Sequence, residues 1–458
     1  MGRAAEPSVP LLSVSSVLSV VLLLLMFMCR FVPVAIALLL MPSSLGAQSL
    51  SPDERAIVTY VDAHNAEALA LLERAVNINS GTQNHAGVRE MGKLFAAELD
   101  GLGFTTGWVD GAPFKRAGHL VAERPRPGRR FLLIGHLDTV FEADSPFQKF
   151  ERLNDRQARG PGIIDMKGGD VIIVHALKAL QAAGALDRMH VTVVMTGDEE
   201  SAGDPQDVAR AALVAAAKGV DVAIGFEDGA GDPRTAVIGR RGTTAWILTV
   251  TGKPAHSSQI FRSDIGYGAI FEAARILNAF RETLAGEPHL TFNPALVVGG
   301  TKVELDVTQA RGSAFGKDNV IPEHAIVSGD LRALSTEQFA QARKRMEAIV
   351  ASASLAQTKA TIAFDEGYPP LAPTDGNRKL LALYDQASRD VGAGPVTAVD
   401  PDRAGAADVS FIAGHVPMIL DGVGLMGDGG HTVNETADLT TLPSQTKRAA
   451  LLLYRLSR

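Results

Sequence analysis

The chain has 458 residues, 46% hydrophobic and 21% charged, with a formal net charge of −7. That length is too great for one compact core and implies two domains, or one domain with an insertion. The composition is that of an ordinary globular protein, and an acidic balance without a long basic run argues against nucleic acid or an anionic membrane surface as the main partner.

The chain opens on a strongly apolar stretch over residues 17–40, broken by Arg30 and Pro33 and followed by Met-Pro-Ser-Ser-Leu-Gly-Ala-Gln. A positive start, an apolar run and small residues before a cut describe a secretory leader. Residues 1–47 therefore read as a signal peptide cut after Ala47, with a secreted or periplasmic product and no stable membrane partner after cleavage. The leader is long for a start at Met1; a start at Met26 or Met28 leaves Arg30 and then residues 32–40 as the apolar core. The alternative is a membrane span that includes residues 17–28, which Arg30 interrupts and a cut site follows. Cys29, the single cysteine, falls in this stretch, and Met28 is a poor residue before a lipid-modified cysteine. The rest of the chain can form no internal disulfide and no four-cysteine zinc site.

Ser51-Pro52-Asp53-Glu54 is a capping box with proline in the first turn, and predicts a helix running towards Val76. Apolar spacing predicts a second helix over 87–102. Then come a buried strand at 131–135, a helix at 170–183, a strand at 190–196, a helix at 205–217 and a strand at 221–226. This alternation implies an α/β sheet with helices on its faces. Near Arg241 the pattern changes to a strand at 243–251, a helix at 264–284, strands at 290–298, 301–307 and 325–333, a helix from the Ser335 capping box to about 352, and a strand at 358–364. Apart from one extra short strand this is a ferredoxin-like, two-layer α+β unit. A helix at 377–391, a strand at 416–421 and a helix from Ser444 resume the first pattern. The expected organisation is a first catalytic part at 48–240, an inserted domain at 241–364 and a second catalytic part at 365–458.

Five segments place acids or histidines at or near predicted strand ends: Gly135-His136-Leu137-Asp138-Thr139, the Gly160–Gly169 run around Asp165, Thr196-Gly197-Asp198-Glu199-Glu200, Glu227, and the glycine-rich loop from Gly427 through His431 to Glu435. Each alone has a bland reading as a surface histidine, a solvated helix start or a turn. Together they lie where open α/β sheets bind ligands, beyond the C-terminal strand ends. Two histidines and three carboxylates suit a pair of zinc ions sharing one carboxylate. His136 and Asp138, two apart, share a face of an extended chain, and an aspartate there can fix the histidine tautomer.

On the motifs Gly-His-Leu-Asp-Thr-Val, Gly-Pro-Gly-Ile-Ile-Asp-Met-Lys-Gly-Gly and Thr-Gly-Asp-Glu-Glu, the chain from about Asp53 to its C-terminus resembles the co-catalytic zinc metallopeptidase family of glutamate carboxypeptidase, aminoacylase, acetylornithine deacetylase and succinyl-diaminopimelate desuccinylase, above all its exported bacterial glutamate carboxypeptidases. The resemblance implies a catalytic domain with a mixed, helix-flanked sheet, interrupted by a lid and dimerisation domain. It implies two zinc ions per subunit, with cobalt or manganese as substitutes: His136 and Glu227 on one, Glu200 and His431 on the other, Asp165 bridging. Glu199 would be the general base and Asp138 would orient His136. His256, in Gly252-Lys253-Pro254-Ala255-His256, would polarise the scissile carbonyl, and in related enzymes the matching histidine reaches the other subunit's site. Asn319 and Arg332 match positions that bind the substrate carboxylate. Two departures bear on side-chain specificity: Ser257-Ser258-Gln259 after His256, where the family has a small residue and proline, and few glycines in Arg403-Ala404-Gly405-Ala406-Ala407 before Asp408.

The implied reaction is hydrolysis, carboxypeptidase fashion, of the amide bond of a peptide or N-acyl amino acid with a free carboxylate. A water shared by two zinc ions ~3.5–4 Å apart ionises near neutral pH, and Glu199 can carry its proton to the leaving nitrogen. An aminoacylase with the same site is the first alternative, and a binding protein that has lost turnover the second; loss of Glu199 or a ligand would mark the latter, and all are present. Arg332 in isolation reads equally as a surface ion pair. A homodimer through the inserted domain would cover its strand edges.

Overall fold

The computed structural model describes residues 50–458 apart from 308 and 353; the leader read in residues 1–47, with Cys29, lies outside the described residues. The first helix, α1 (Pro52–Ala63), starts on the expected capping box: Ser51 Oγ accepts from the Glu54 N–H, and the Glu54 carboxylate accepts from the Ser51 N–H at 2.7 Å. The helix expected to continue to Val76 is in fact two, α1 and α2 (Asn65–Val76). His64 breaks it: φ −109° and ψ 15° leave the helical region, while its Nδ1 hydrogen-bonds the Tyr60 carbonyl at 2.8 Å and its ring stacks on Tyr60.

The chain continues through α3 (His85–Asp100), β1 (Thr105–Asp110), β2 (Gly118–Arg124), β3 (Arg130–His136), α4 (Gly168–Ala182), β4 (His190–Thr196), α5 (Gln206–Ala216) and β5 (Val222–Gly225). After an excursion it returns in α8 (Asp375–Asp390), β12 (Ile419–Leu420) and α9 (Thr441–Leu456). These strands form one mixed sheet in the order β1-β2-β4-β3-β5-β12. The four strands β4, β3, β5 and β12 run parallel, and β1 and β2 are antiparallel. Alternate residues face opposite layers. Phe131, Leu133, Val191, Val193, Val222 and Ile224 pack with α1, α4 and α9, while Leu132, Ile134, Val194 and Ala223 pack with Leu213 of α5 and Ile412. Both faces are covered, so the central strands are apolar throughout, each large side chain contributing roughly 1.5–3 kcal/mol on burial. Strands β1 and β2 were not anticipated from the sequence. The residues of β1, Thr-Thr-Gly-Trp-Val-Asp, lie mostly exposed at the sheet edge and carry little apolar alternation.

The excursion comprises β6 (Gly242–Gly252), α6 (Ala269–Leu284), β7 (Thr291–Gly300), β8 (Lys302–Asp306), β9 (Arg311–Phe315), β10 (His324–Ala333), α7 (Thr336–Ala351) and β11 (Thr358–Phe364). Its sheet, ordered β7-β10-β6-β11 and wholly antiparallel, has the ferredoxin-like arrangement expected. It has its own core: Trp246, Leu248 and Val250 of β6 and Val327 and Leu331 of β10 meet Ile276 and Phe280 of α6 and Met346 of α7. Helix α6 starts five residues later than expected because Gly266 and Gly268 take φ of 86° and 76°. The extra strand pairs with β9, an unanticipated partner, as a separate hairpin. At the other end of the chain, β12 covers only two residues of the expected 416–421 strand, since Pro417 has no N–H for the ladder.

The segments leading into and out of the insertion are themselves paired. Arg240 and Leu371 exchange backbone hydrogen bonds at 2.9 Å, and the Thr243 N–H donates to the Tyr368 carbonyl at 2.9 Å. Close approach requires glycine here: a Cβ on Gly367 would sit 1.8 Å from the Thr243 carbonyl oxygen. Among the described residues no helix is long and apolar enough to cross a membrane.

Candidate metal centre

Strands β3, β4 and β5 end side by side: His136 lies opposite Thr196, and Ile134 opposite Gly225. His136, the Gly197–Glu200 segment and Glu227 therefore emerge at one edge, the edge where open sheets place their ligands. Asp165 comes from the turn before α4. His431 sits in the loop between the short strands Gly427–Asp428 and Thr436–Asp438, and this hairpin pairs with Gln157–Arg159, just ahead of the Asp165 turn.

The five expected ligands fall into two triads that share Asp165, namely His136, Asp165 and Glu227, and Asp165, Glu200 and His431. His136 Nε2 is 3.1 Å from Asp165 Oδ1 and 3.7 Å from Glu227 Oε1. His431 Nε2 is 2.9 Å from Asp165 Oδ2 and 3.1 Å from Glu200 Oε2. The two oxygens of one carboxylate thus face different histidines. Glu199 belongs to neither triad.

The surrounding polar groups explain the geometry. Asp138 approaches His136 Nδ1 mainly through its backbone carbonyl, at 3.0 Å, with its carboxylate at 3.5 Å. That carboxylate accepts from the Thr82 hydroxyl and from the N–H groups of Glu199 (3.0 Å) and Glu200 (3.2 Å), so it fixes the acidic loop as well as the histidine. Glu435, buried, accepts from the N–H groups of Gly162, Ile164 and Asp165 and thereby shapes the Asp165 turn. The sequence placed Glu435 within a noted segment but gave it no role. His119 accepts from the Gly197 N–H at 3.1 Å and reaches the Ala209 carbonyl at 2.8 Å. Further from the site, Arg240 holds Asp421 at 2.7 Å, and Asp421 accepts from the Glu227 N–H. These side chains carry no local motif; only the fold brings them together.

Burial, reinforced by Asp408, Glu200 and Asp165 for Glu199 and by Asp165 and Glu199 for Glu227, pushes both glutamates well above the usual carboxylate range. Hydrogen bonds to Asp165 and Glu200 push His431 up to about 11. Burial opposes ionisation of Asp165, yet the hydrogen bonds from His136 and His431 hold it below its ordinary value. The site therefore concentrates more carboxylates than imidazoles can balance, and Glu200 Oε1 is buried with no hydrogen-bond partner among the described residues. Nitrogen and oxygen donors, an excess of negative charge and an orphaned ligand atom all fit divalent cations, which would take the histidine protons' place.

The structure separates the remaining site candidates. His256 and Asn319 are neighbours: His256 bridges to Val320, and the Ser257 N–H donates to the Asn319 carbonyl at 2.9 Å. The Ser258 N–H donates to His256 Nδ1 at 3.3 Å, which leaves Nε2 as the proton-bearing nitrogen of the neutral ring. Arg332 lies at the other end of β10, opposite Thr243 and beside the hinge formed by the paired segments that enter and leave the insertion, with Nε 2.9 Å from Asp330. The eight residue-to-residue steps from His324 to Arg332 span ~26 Å of strand. Within one chain, then, Asn319 and Arg332 are not side by side.

A mixed sheet with acids and histidines converging at its parallel strand ends has the makings of a metal-dependent hydrolase. Residues 132–455 match the sequence family described as Peptidase family M20/M25/M40, and the chain belongs to it. Carboxypeptidase G2 of Pseudomonas sp. (strain RS-16) is 28% identical over 396 residues, covering 84% of this chain and 88% of that one. Succinyl-diaminopimelate desuccinylase of Variovorax paradoxus (strain S110) is 25% identical, over 84% of this chain and 97% of its own. The crystal structure of the aminopeptidase PepT from Bacillus cereus superposes with a TM-score of 0.69 at 18% identity, covering 86% and 99% of the two chains, and shares the fold. The protein is accordingly a hydrolase of peptide or related C–N bonds.

Proposed function

We propose that this protein is a two-zinc hydrolase that removes a carboxylate-bearing amino acid from a peptide or an N-acyl amino acid, in the manner of a carboxypeptidase. The two triads sharing Asp165 are the observation that carries this reading; the relationship to carboxypeptidase G2 supports the direction of cleavage. His136 and Glu227 would hold one ion and Glu200 and His431 the other, with Asp165 between them. Bound there, a zinc pair supplies Lewis acidity and a water that ionises near neutral pH. Glu199, half-buried, outside both triads and held at its backbone by Asp138, would take a proton from the attacking water and pass it to the leaving nitrogen. Arg332 offers a planar fork for the substrate carboxylate, displacing Asp330. Release of free amino acid from dipeptides and from N-acyl amino acids tests the class: cleavage of dipeptides and N-acylglutamate-type substrates supports it, and cleavage of neither removes it. A desuccinylase or aminoacylase using the same site is the second reading, favoured by the desuccinylase relationship.

The ~26 Å strand between the two ends of the inserted sheet supports a division of labour. Arg332, by the hinge, would serve its own chain's centre, whereas His256 and Asn319 would serve a partner's. A symmetric dimer through the inserted sheet accounts for this, and β7, whose outer edge pairs with no strand among the described residues, carries exposed Val297 and has exposed Ile270 beside its Gly299. Mixing inactive Glu199→Ala and His256→Ala chains then restores about a quarter of parent activity, because half the dimers are hybrid and each hybrid has one intact site. No recovery in proven hybrids would place His256 with its own chain or outside catalysis.

A further inference from the structure

Tyr368 lies on the segment that returns from the inserted sheet, and its backbone is fixed there by the bond from Thr243. Its side chain reaches into the catalytic body. The hydroxyl donates to the Glu199 carbonyl at 2.7 Å and accepts from Arg210 Nη2 at 2.8 Å. The directions are fixed, because a guanidinium only donates and a carbonyl only accepts. Arg210 is itself fully buried. It binds the Asp198 carboxylate and carbonyl, forms an ion pair with Asp408 at 2.9 Å, and lies against the rings of Tyr368 and Phe411.

The consequence falls on one peptide unit, the one joining Glu199 to Glu200. Its carbonyl is held by Tyr368 and its N–H by Asp138 Oδ2. Clamped at both ends, this peptide plane sets the direction in which the Glu199 side chain leaves the backbone. With one clamp removed, the plane can turn about the other.

We propose that Tyr368 is a positioning residue for Glu199, aiming its carboxylate through the Glu199–Glu200 peptide and doing so from the segment that carries the inserted sheet. The inference rests on the reading of Glu199 as the proton carrier. It makes the hinge part of the catalytic apparatus: a displacement of the returning segment moves the hydroxyl, and with it the base.

Tyr368→Phe tests this, since it keeps the ring against Arg210 and Phe411 and removes only the hydroxyl. We expect kcat to fall about 10–100-fold, as for groups that orient a catalytic side chain, with KM within about twofold and metal content unchanged. Phe411→Leu, which disturbs the packing and leaves the hydrogen bonds, should melt earlier with kcat within about twofold of the parent. In a Glu199→Ala background, Tyr368→Phe should cost nothing further, because two residues acting through one carboxylate are not additive. An unchanged kcat for Tyr368→Phe, the same loss in both backgrounds, or loss of metal or fold would each overturn the proposal. A parent-like rate for Glu199→Ala would instead overturn the reading on which it rests.

Discussion

Glu199→Ala should lower kcat by about 10²–10⁴-fold, the usual contribution of a positioned proton carrier, and should leave the metal content of the parent chain. The expectation follows from placement. Glu199 is outside both triads, and its backbone N–H and carbonyl are held independently of its side chain by Asp138 and Tyr368. Truncating the side chain removes a base without removing a ligand. Burial and the nearby carboxylates raise its proton affinity; a group in that environment is suited to receive a proton and release it again. Metal analysis beside steady-state kinetics separates the outcomes. If Glu199→Ala empties a metal position, the assignments of Glu199 and Glu200 must be exchanged.

Asp165→Ala should do the opposite, abolishing measurable turnover by removing the metals. Asp165 is the residue that the two triads share, with one oxygen 3.1 Å from His136 and the other 2.9 Å from His431. Without them each triad is reduced to two donors. Glu227→Ala, in contrast, should weaken one position and spare the other. Because metal binds only the native arrangement, zinc should also raise the melting temperature of the parent, by the equivalent of about 2.7 kcal/mol at a hundredfold excess over Kd. Asp165→Ala should lose that stabilisation. An Asp165→Ala chain that still binds two ions would remove Asp165 from the shared position.

How much of this was legible in the sequence depended on how far apart the interacting residues lie. The alternating elements were readable because β3, β4 and β5 are buried on both faces and hence apolar throughout, and the inserted sheet because its alternation and capping residues are local. β1 was not readable, since an exposed edge strand needs no apolar pattern. The site segments stood out because strand ends and glycine-rich turns put the chemistry within a few residues. The support around them did not. Tyr368 is 169 residues from Glu199, and Glu435 is 270 from Asp165; each looks like an ordinary side chain until the fold places it. His64 ended a helix by a contact with its own preceding turn, which periodicity alone does not register. Arg332 and Asn319 were grouped by the substrate group they were expected to bind, yet Arg332 lies near the last residue of β10 and Asn319 in the turn before its first.

The central claim is that hydrolysis depends on two ions held around Asp165. Zinc titrated into chelator-stripped protein, with bound metal and amino acid release measured on the same samples, tests it most directly. The account predicts no turnover in stripped protein and recovery that saturates as occupancy reaches two per chain. Full activity in protein shown to carry no metal would contradict it.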